Sequence, residues 1–322
     1  MALTVGVASA VAQARDVILA TTTSVRDAGL LDTLLPPFER TAGYGVKVIA
    51  VGSGQAMELG RRGEADLLIL HDPAGEERFV AEGFGIDRRA LMHNEFVLVG
   101  PAGDPAAVRG TDVRTAFGRI AAAGAPFVSR GDRSGTHVKE LALWEAAGRT
   151  PGGRWYRESG QGMGATLVIA SEFAAYALTD EATLLAHRLP PALEILVQGD
   201  SVLRNPYHVI RANPARFPRV NAQGAAALAA YLLSPEVQWM IGKFRQAELG
   251  RSIFVPDGND GHDGNDGSDG RDGRVVIYPS TIPKATRRSH APRVKSGIST
   301  DWPRLRIERS LSSLTDDQAA PS

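Results

Sequence analysis

The sequence passes repeatedly from a short apolar segment, through a loop of small or hydroxyl residues, into a helical pattern. Such transitions occur within residues 16–38, 46–62, 127–147 and 156–176. Strands that alternate with helices favour a parallel sheet covered by helices. Ligands of such sheets bind at the carboxyl ends of the strands, where these loops would lie. The pattern therefore predicts an α/β protein with a binding site made of several strand-to-helix loops.

The loop after the strand expected at 127–128 carries the most chemistry. It leads into a helix expected at 138–147. Its polar donors are Ser129, Arg130, Ser134 and Thr136. A helix N-terminus presents free N–H groups and partial positive charge, and a guanidinium offers a planar fork of donors. Together they predict a site for a small tetrahedral oxyanion.

The alternative interpretation of this loop is purely structural. In that interpretation Ser134 or Thr136 is an ordinary N-cap and Arg130 pairs with Asp132 on the surface. We expect His137 to be a helix-surface residue. The other loops of the same kind favour a binding site over this alternative.

Three further loops repeat the pattern. Four hydroxyls, Thr21 to Ser24, separate a strand expected at 16–20 from a helix that begins near Leu30. Gly52-Ser53-Gly54 follows the strand at 46–51, but no P-loop lysine follows it. A glycine-rich segment, 159–166, opens a helix expected at 167–176. Other expected strands are 65–70, 95–99, 176–179, 193–197 and 207–210, and other expected helices are 74–82, 111–123, 181–187 with Asp180 as its cap, 221–233 and 235–244.

Composition limits the classes of function. The length of 322 residues suggests about two domains, and 36 basic against 36 acidic residues give no indication of nucleic-acid binding. The chain has no cysteine, which excludes disulfides, thiol catalysis and thiolate metal sites. No apolar run reaches the roughly 18–20 residues of a membrane span. We therefore expect a protein that is not embedded in a membrane.

The two ends differ from the middle of the chain. Residues 1–14 are small and apolar, and Ala12-Gln13-Ala14 fits a secretory cleavage site, although the basic n-region is missing. We interpret 1–14 as a shortened signal peptide; a disordered or first-strand N-terminus is the alternative. Residues 258–322 begin with Asp-Gly and Asn-Gly units and continue rich in Ser, Arg and Pro, which predicts a disordered tail.

With these loops identified, the chain resembles the periplasmic tungstate-binding proteins of ABC transporters, relatives of the molybdate-, sulfate- and phosphate-binding proteins. The resemblance covers about residues 18–256. The segments that carry it are Thr21-Thr22-Thr23-Ser24, Ser129-Arg130-Gly131-Asp132, Ser134-Gly135-Thr136-His137, Leu35-Pro36-Pro37-Phe38-Glu39, Gly54-Gln55-Ala56, residues 94–101 and residues 162–167. The tail lies beyond the usual end of the family, and the signal departs from its pattern.

The resemblance implies a type II periplasmic-binding-protein fold, in which two α/β lobes are joined by two crossing strands and the ligand lies in the cleft. The crossings would fall near 95–99 and 204–210. Lobe 1 would then comprise 15–95 plus 205–257, and lobe 2 would comprise 96–204. The implied ligand-binding residues are Thr22, Thr23, Ser24, Ser53, Ser129, Arg130 and Thr136, of which Thr23 and Ser129 are the weaker candidates.

The implied function is capture of tungstate in the periplasm and its delivery to an ABC-transporter permease by a monomer without cofactor or metal site. Tungstate is fully deprotonated at neutral pH, so its oxygens only accept hydrogen bonds; we expect the Asp132 carboxylate to turn away from it. The same fold with molybdate, sulfate or phosphate as ligand is an open alternative. A hydrolase is a further one, but no nucleophile elbow or metal spacing supports it.

Overall fold

A computed structural model describes residues 16–187 and 190–258. The signal peptide predicted at 1–14 and the tail predicted after Gly258 lie outside the described residues. Among the described residues, no helix has both the length and the apolar character needed to cross a membrane.

Helices and strands alternate along most of the described chain. The helices are α1 (Thr23–Asp27), α2 (Leu30–Ala42), α3 (Ser53–Arg61), α4 (Pro73–Ala81), α5 (Val113–Ala123), α6 (Gly135–Ala146), α7 (Met163–Glu172), α8 (Glu181–His187), α9 (Ala222–Leu232), α10 (Pro235–Lys243) and α11 (Gln246–Leu249). The strands are β1 (Val17–Thr22), β2 (Val46–Val51), β3 (Leu67–Leu70), β4 (Gly85–Pro101), β5 (Phe127–Ser129), β6 (Tyr156–Glu158), β7 (Ala177–Asp180), β8 (Leu193–Val197), β9 (Arg204–Ala212) and β10 (Val255–Pro256).

The main sheet has the strand order β10-β4-β9-β3-β1-β2, with β7 and β8 attached to β4. β1 lies parallel to β2 and β3, whereas β9 runs antiparallel to β3 and β4. β5 and β6 form a separate parallel pair. The predicted α/β class is confirmed, and β1 and β2 lead from the same edge of the sheet into α1 and α3.

Strand β4 is much longer than the strand predicted at 95–99. Its first part pairs with β9, from Gly85 opposite Ala212 to Glu95 opposite Arg204, and its last part, from Phe96, pairs with β7 and β8. The prediction was wrong because residues 85–94 are held by pairing with a distant strand. They have no apolar run of their own, and Asp87 has positive φ where the register shifts. The lobe boundaries stay a prediction.

Three helix starts also differ from the prediction. Thr23 already begins the short helix α1, where a loop of hydroxyls was expected. α6 begins at Gly135 rather than 138, and α7 begins at Met163 rather than 167. Glycines and hydroxyl residues have low helix propensity, so the predicted starts fell too late; here such residues lie at or next to the first turn of the helix.

Separate apolar clusters pack against the first and second halves of the long strand. One packs α2 and α9 against the main sheet around Leu34, Phe38 and Leu228. Another surrounds β5 and α6, where Phe117, Phe127 and Trp144 contact one another. Each group of strand-to-helix loops therefore projects from its own buried support.

Candidate functional site

The hydroxyls at the end of β1 are buried. Thr22 Oγ1 lies 3.0 Å from Ser24 Oγ, which lies 3.2 Å from the hydroxyl of Tyr207 on β9. Thr23 is half-buried. Thr22 occupies the N-cap position of α1, but its side chain makes no capping hydrogen bond there. Of the residues predicted in this loop, Thr22 and Ser24 thus form a chain of hydroxyls that ends at Tyr207 on β9.

Ser53 is the first residue of α3 and is 0% exposed. Its Oγ has no hydrogen-bond partner, and the preceding Gly52 supplies no side-chain cap. A buried hydroxyl without a partner is destabilising, by about 1–3 kcal/mol. A buried hydroxyl without a partner indicates a site where a ligand supplies the hydrogen-bond acceptor.

The guanidinium of Arg130 follows β5 and is 6% exposed, so it does not lie on the surface. Its Nη2 donates to Asp132 Oδ2 at 2.5 Å, while its Nε has no partner. Asp132 Oδ1 also accepts from the backbone N–H of Ser134. Asp132 therefore holds Arg130 and the backbone of Ser134, and its expected orientation away from a ligand stays a prediction.

The start of α6 combines a cap with buried donors. Ser134 is the N-cap, and its Oγ accepts from the N–H of His137. Thr136, predicted as a ligand residue, is 2% exposed. His137 is buried rather than on the helix surface, because its Nδ1 accepts from the N–H of Arg133. That bond leaves the imidazole proton on Nε2, which has no partner.

Ser129, a weaker candidate, already has partners behind the loop. Its Oγ accepts from the N–H of Gly131 and hydrogen-bonds Glu140. Glu140 is 2% exposed and also accepts from Trp144 Nε1 and the hydroxyl of Tyr156. Burial raises the pKa of the Glu140 carboxyl to about 7. Ser129 therefore supports the loop from within and offers less to a ligand than Ser53 does.

The glycine-rich segment before α7 borders the same loop. The N–H of Gly160 donates to the carbonyl of Arg130, and the N–H of Ser159 donates to the carbonyl of Ser129. Ser159 Oγ lies 2.8 Å from Thr166 Oγ1. This segment fixes the Arg130 loop through its backbone.

The loops from the two sides touch each other. A methyl group built on Gly52 would lie 3.6 Å from Ser134 Cα, and one built on Gly54 would lie 3.3 Å from the carbonyl oxygen of Arg133. The N-termini of α3 and α6 therefore converge. Two positive helix ends and a buried guanidinium at one place attract an anion.

A buried polar network that no sequence pattern predicted lies behind these loops. His71 Nδ1 lies 2.9 Å from Asn205 Oδ1, and Asn205 Nδ2 donates both to Asn94 Oδ1 and to the hydroxyl of Tyr207. Asn94 Nδ2 in turn donates to Asp180 Oδ1. Burial lowers the pKa of His71, so the imidazole is neutral. The only sequence signal was the position of His71 directly after a buried strand.

The donor set suits an oxyanion and not a metal ion. The candidate residues of these loops carry hydroxyls, N–H groups and a guanidinium, while the nearby Asp132 carboxylate is engaged by Arg130 and Ser134. No cluster of three or more His, Asp or Glu side chains that could hold a metal occurs within residues 16–187 and 190–258. The arrangement can desolvate and bind a small acceptor-only anion.

The chain is similar to known proteins over most of its length. A family model described as a PBP superfamily domain matches residues 7–236. The chain is 45% identical over 244 residues to the tungstate-binding protein TupA of Peptoclostridium acidaminophilum, which covers 75% of this chain and 85% of that protein.

Two solved structures are similar. One is the tungstate ABC transporter from Geobacter sulfurreducens, with a TM-score of 0.66, 45% identity and coverage of 71% of this chain and 98% of that one. The other is the tungstate binding protein TupA from Desulfovibrio alaskensis G20, with a TM-score of 0.64, 42% identity and coverage of 76% and 99%.

Proposed function

Because the chain belongs to the PBP superfamily and, within it, to the family of the TupA proteins, we propose that it is a solute-binding protein that captures tungstate and delivers it to an ABC-transporter permease. The proposed lobes comprise residues 15–95 with 205–257, and 96–204. The pairing of β4 with β9 supports these boundaries, because those strands carry the chain from one group of elements to the other and back.

One observation carries the proposal. Two buried donors on opposite sides of the loop contact, Ser53 Oγ and Arg130 Nε, have no hydrogen-bond partner. Proteins rarely leave buried donors unpaired, since each one is destabilising. A ligand with acceptor oxygens on several sides would satisfy both donors at once.

The chemistry of tungstate fits such a site. The dianion has four oxygens that accept and none that donates, and burying it is unfavourable unless it is fully hydrogen-bonded. Charge-assisted hydrogen bonds contribute about 1.5–3 kcal/mol each. We assign Thr22, Ser24 and Ser53 to one side, and Arg130 and Thr136 to the other, with Thr23 and Ser129 in supporting positions.

The remaining parts of the proposal follow from delivery to a transporter. The protein works in the periplasm as a monomer, closes its lobes around the anion and presents the loaded form to the permease. It binds without chemical conversion, so it is not an enzyme. The neutral net charge and the buried donors favour a small anion as partner over nucleic acid.

Calorimetric titration with tungstate tests the proposal. We expect binding by the wild-type protein and at least about tenfold weaker binding by Arg130→Ala, because at least one charge-assisted hydrogen bond is lost. Arg149→Ala, at an exposed position after α6, serves as the matched control. Unchanged affinity in Arg130→Ala would remove Arg130 from the site.

Competition among anions tests the ligand itself. Molybdate is the second candidate, because it is also a deprotonated tetrahedral dianion and the donor set suits it equally. Monohydrogen phosphate carries a proton that needs an acceptor, and Arg130 and Ser134 already engage the nearby Asp132 carboxylate. We expect tungstate and molybdate to displace phosphate; preferred binding of phosphate would contradict the assignment.

A further inference from the structure

A glycine of α6 and a histidine that follows β3 lie against each other where the two sides of the site meet. A methyl group built on Gly135 would lie 2.6 Å from Cε1 and 2.8 Å from Nδ1 of His71. Real side chains do not approach this closely, so Gly135 must remain without a side chain while the ring stays in place. Gly135 lies between Ser134 and Thr136 and has no positive φ, so steric space rather than backbone conformation requires it.

The imidazole of His71 cannot retreat, because it is held from behind. Its Nδ1 bonds Asn205 at 2.9 Å, and its ring stacks on Tyr207 with a centroid distance of 4.8 Å. Asn205 is tied across the two long strands to Asn94 at 2.7 Å. The side chain of His71 is 5% exposed. The imidazole therefore acts as a rigid steric stop that is held in place by side chains of β4 and β9.

The same network reaches the other ligand loop. The Tyr207 hydroxyl lies 3.2 Å from Ser24 Oγ, and Ser24 Oγ lies 3.0 Å from Thr22 Oγ1. The stop that meets Gly135 is thus connected through two side chains to the hydroxyls proposed as donors on the opposite side. The position of His71 determines how far α6 can approach those hydroxyls.

We propose that His71 is a positioning residue that sets the closed distance between the two halves of the site, and that the missing side chain at Gly135 permits this closure. The inference rests on the proposed function for its ligand, but the contact itself involves only residues of this chain. His71 touches no ligand in this scheme; it acts through the start of α6.

Tungstate titrations of Gly135→Ala test the steric part. We expect at least tenfold weaker binding, mainly through faster dissociation, because the donors on α6 no longer reach the anion. Gly118→Ala is the matched control, since Gly118 lies inside α5 with open space where its methyl group would be. Wild-type affinity in Gly135→Ala would overturn the inference and leave the proposed function intact.

A double variant tests the role of His71 specifically. In the His71→Ala background the ring is gone, so adding Gly135→Ala should change affinity by less than twofold. This non-additivity distinguishes a steric contact with His71 from a general disturbance of the helix start. Equal tenfold losses in both backgrounds would contradict the assignment.

Distance measurements read closure without relying on tungstate. The chain has no cysteine, so spin labels can be placed at Glu58→Cys on α3 and Glu145→Cys on α6, both exposed positions. Gly135→Ala should shift the distance distribution to longer values, and His71→Ala with Gly135→Ala should return it to that of His71→Ala. If the wild type bound none of the anions, the proposed function would fail, whereas these distances would still decide the inference. Identical distributions in all variants would overturn it.

Discussion

Because the Ser53 hydroxyl has no partner in the protein, a substitution at this residue should affect stability and ligand binding differently. Ser53→Ala removes a buried polar group without a partner, so the free energy of unfolding should stay constant or rise slightly. Tungstate affinity should fall by about tenfold, because one donor to the anion is lost. Urea unfolding and calorimetry measure the two effects.

Ser234→Ala provides the reciprocal control for Ser53. Ser234 caps α10, and its Oγ accepts from the N–H of Val237. Loss of an N-cap is destabilising by about 1 kcal/mol, with no expected change in affinity. Ser53 would not contact the ligand if Ser53→Ala lost stability in the same way and kept its affinity.

We predict that Glu140 makes the free energy of unfolding depend on pH. Burial raises the pKa of its carboxyl to about 7 from 4.5, so the ionised form is disfavoured in the folded state. The stability associated with the neutral carboxyl is fully present below about pH 4.5 and is lost as pH rises through about 7. The loss is about 3 kcal/mol, since one unit of pKa corresponds to about 1.4 kcal/mol.

Glu140→Gln should remove this slope. Glutamine keeps an oxygen that can accept from Trp144 and Tyr156 and cannot ionise. Urea unfolding at pH 5 and pH 8 should show a smaller difference than in the wild type, and Glu145→Gln, exposed on the same helix, should behave like the wild type. An unchanged slope in Glu140→Gln would assign the pH dependence to other groups.

Candidate ligand residues could be proposed from the sequence more readily than the residues that support them. Hydroxyls and an arginine directly after a strand are local patterns, so Ser53 and Arg130 could be proposed as candidates, and their binding role stays a prediction. His71, Asn205 and Glu140 act through partners that are distant in sequence, and no local pattern reveals such contacts. His137 was assigned to the surface because its hydrogen bond to the Arg133 N–H depends on the turn before α6.

At the scale of elements, the pairing of β4 with β9 depends on a buried amide pair. Asn94 and Asn205 lie opposite each other, and Asn205 also bonds His71. Asn205→Ala should lower the free energy of unfolding by about 3 kcal/mol, because it leaves polar groups on both partners unpaired. Urea unfolding measures the loss.

A double-mutant cycle checks this interpretation. Asn94→Ala with Asn205→Ala should be destabilised by less than the sum of the single changes, because the two residues share one hydrogen bond. Strict additivity would mean that the amide pair contributes no coupling.

The bounds of helices and strands were predicted correctly where the residues that end an element are close to it in sequence. β2 and β8 have the predicted bounds, 46–51 and 193–197, because polar, proline or glycine residues border their apolar segments. Asp180 accepts from the N–H of Thr183, so the predicted cap of α8 is confirmed. The predicted length of β4 was too short because the first half of the strand has no apolar run. That half is held by pairing with β9, which depends on the whole fold.

At the scale of the whole molecule, the PBP type II fold predicted from the resemblance is confirmed by the family match and the similar solved structures. Several ordered motifs along the chain made this possible. The lobe boundaries stay a prediction, because the long strand β4 passes from one set of pairings to the next without interruption.

Ligand-linked stability tests whether the folded protein binds tungstate. At a free tungstate concentration of about 1,000 times Kd, binding adds about 4 kcal/mol to the free energy of unfolding. For a protein of this size the thermal midpoint should rise by roughly 10 °C. Differential scanning calorimetry measures the shift, and sodium chloride at equal ionic strength is the control. A thermal midpoint that tungstate leaves unchanged would contradict binding to the folded protein.

The union of β4 with β9 has a mechanical consequence for the proposed lobes. The two connections are bonded to each other from Gly85 to Glu95, so neither can swivel without carrying the other. They therefore act as one hinge and not as two independent linkers. The lobes can thereby rotate apart about one axis only, and each closure brings the same atoms of the two lobes together.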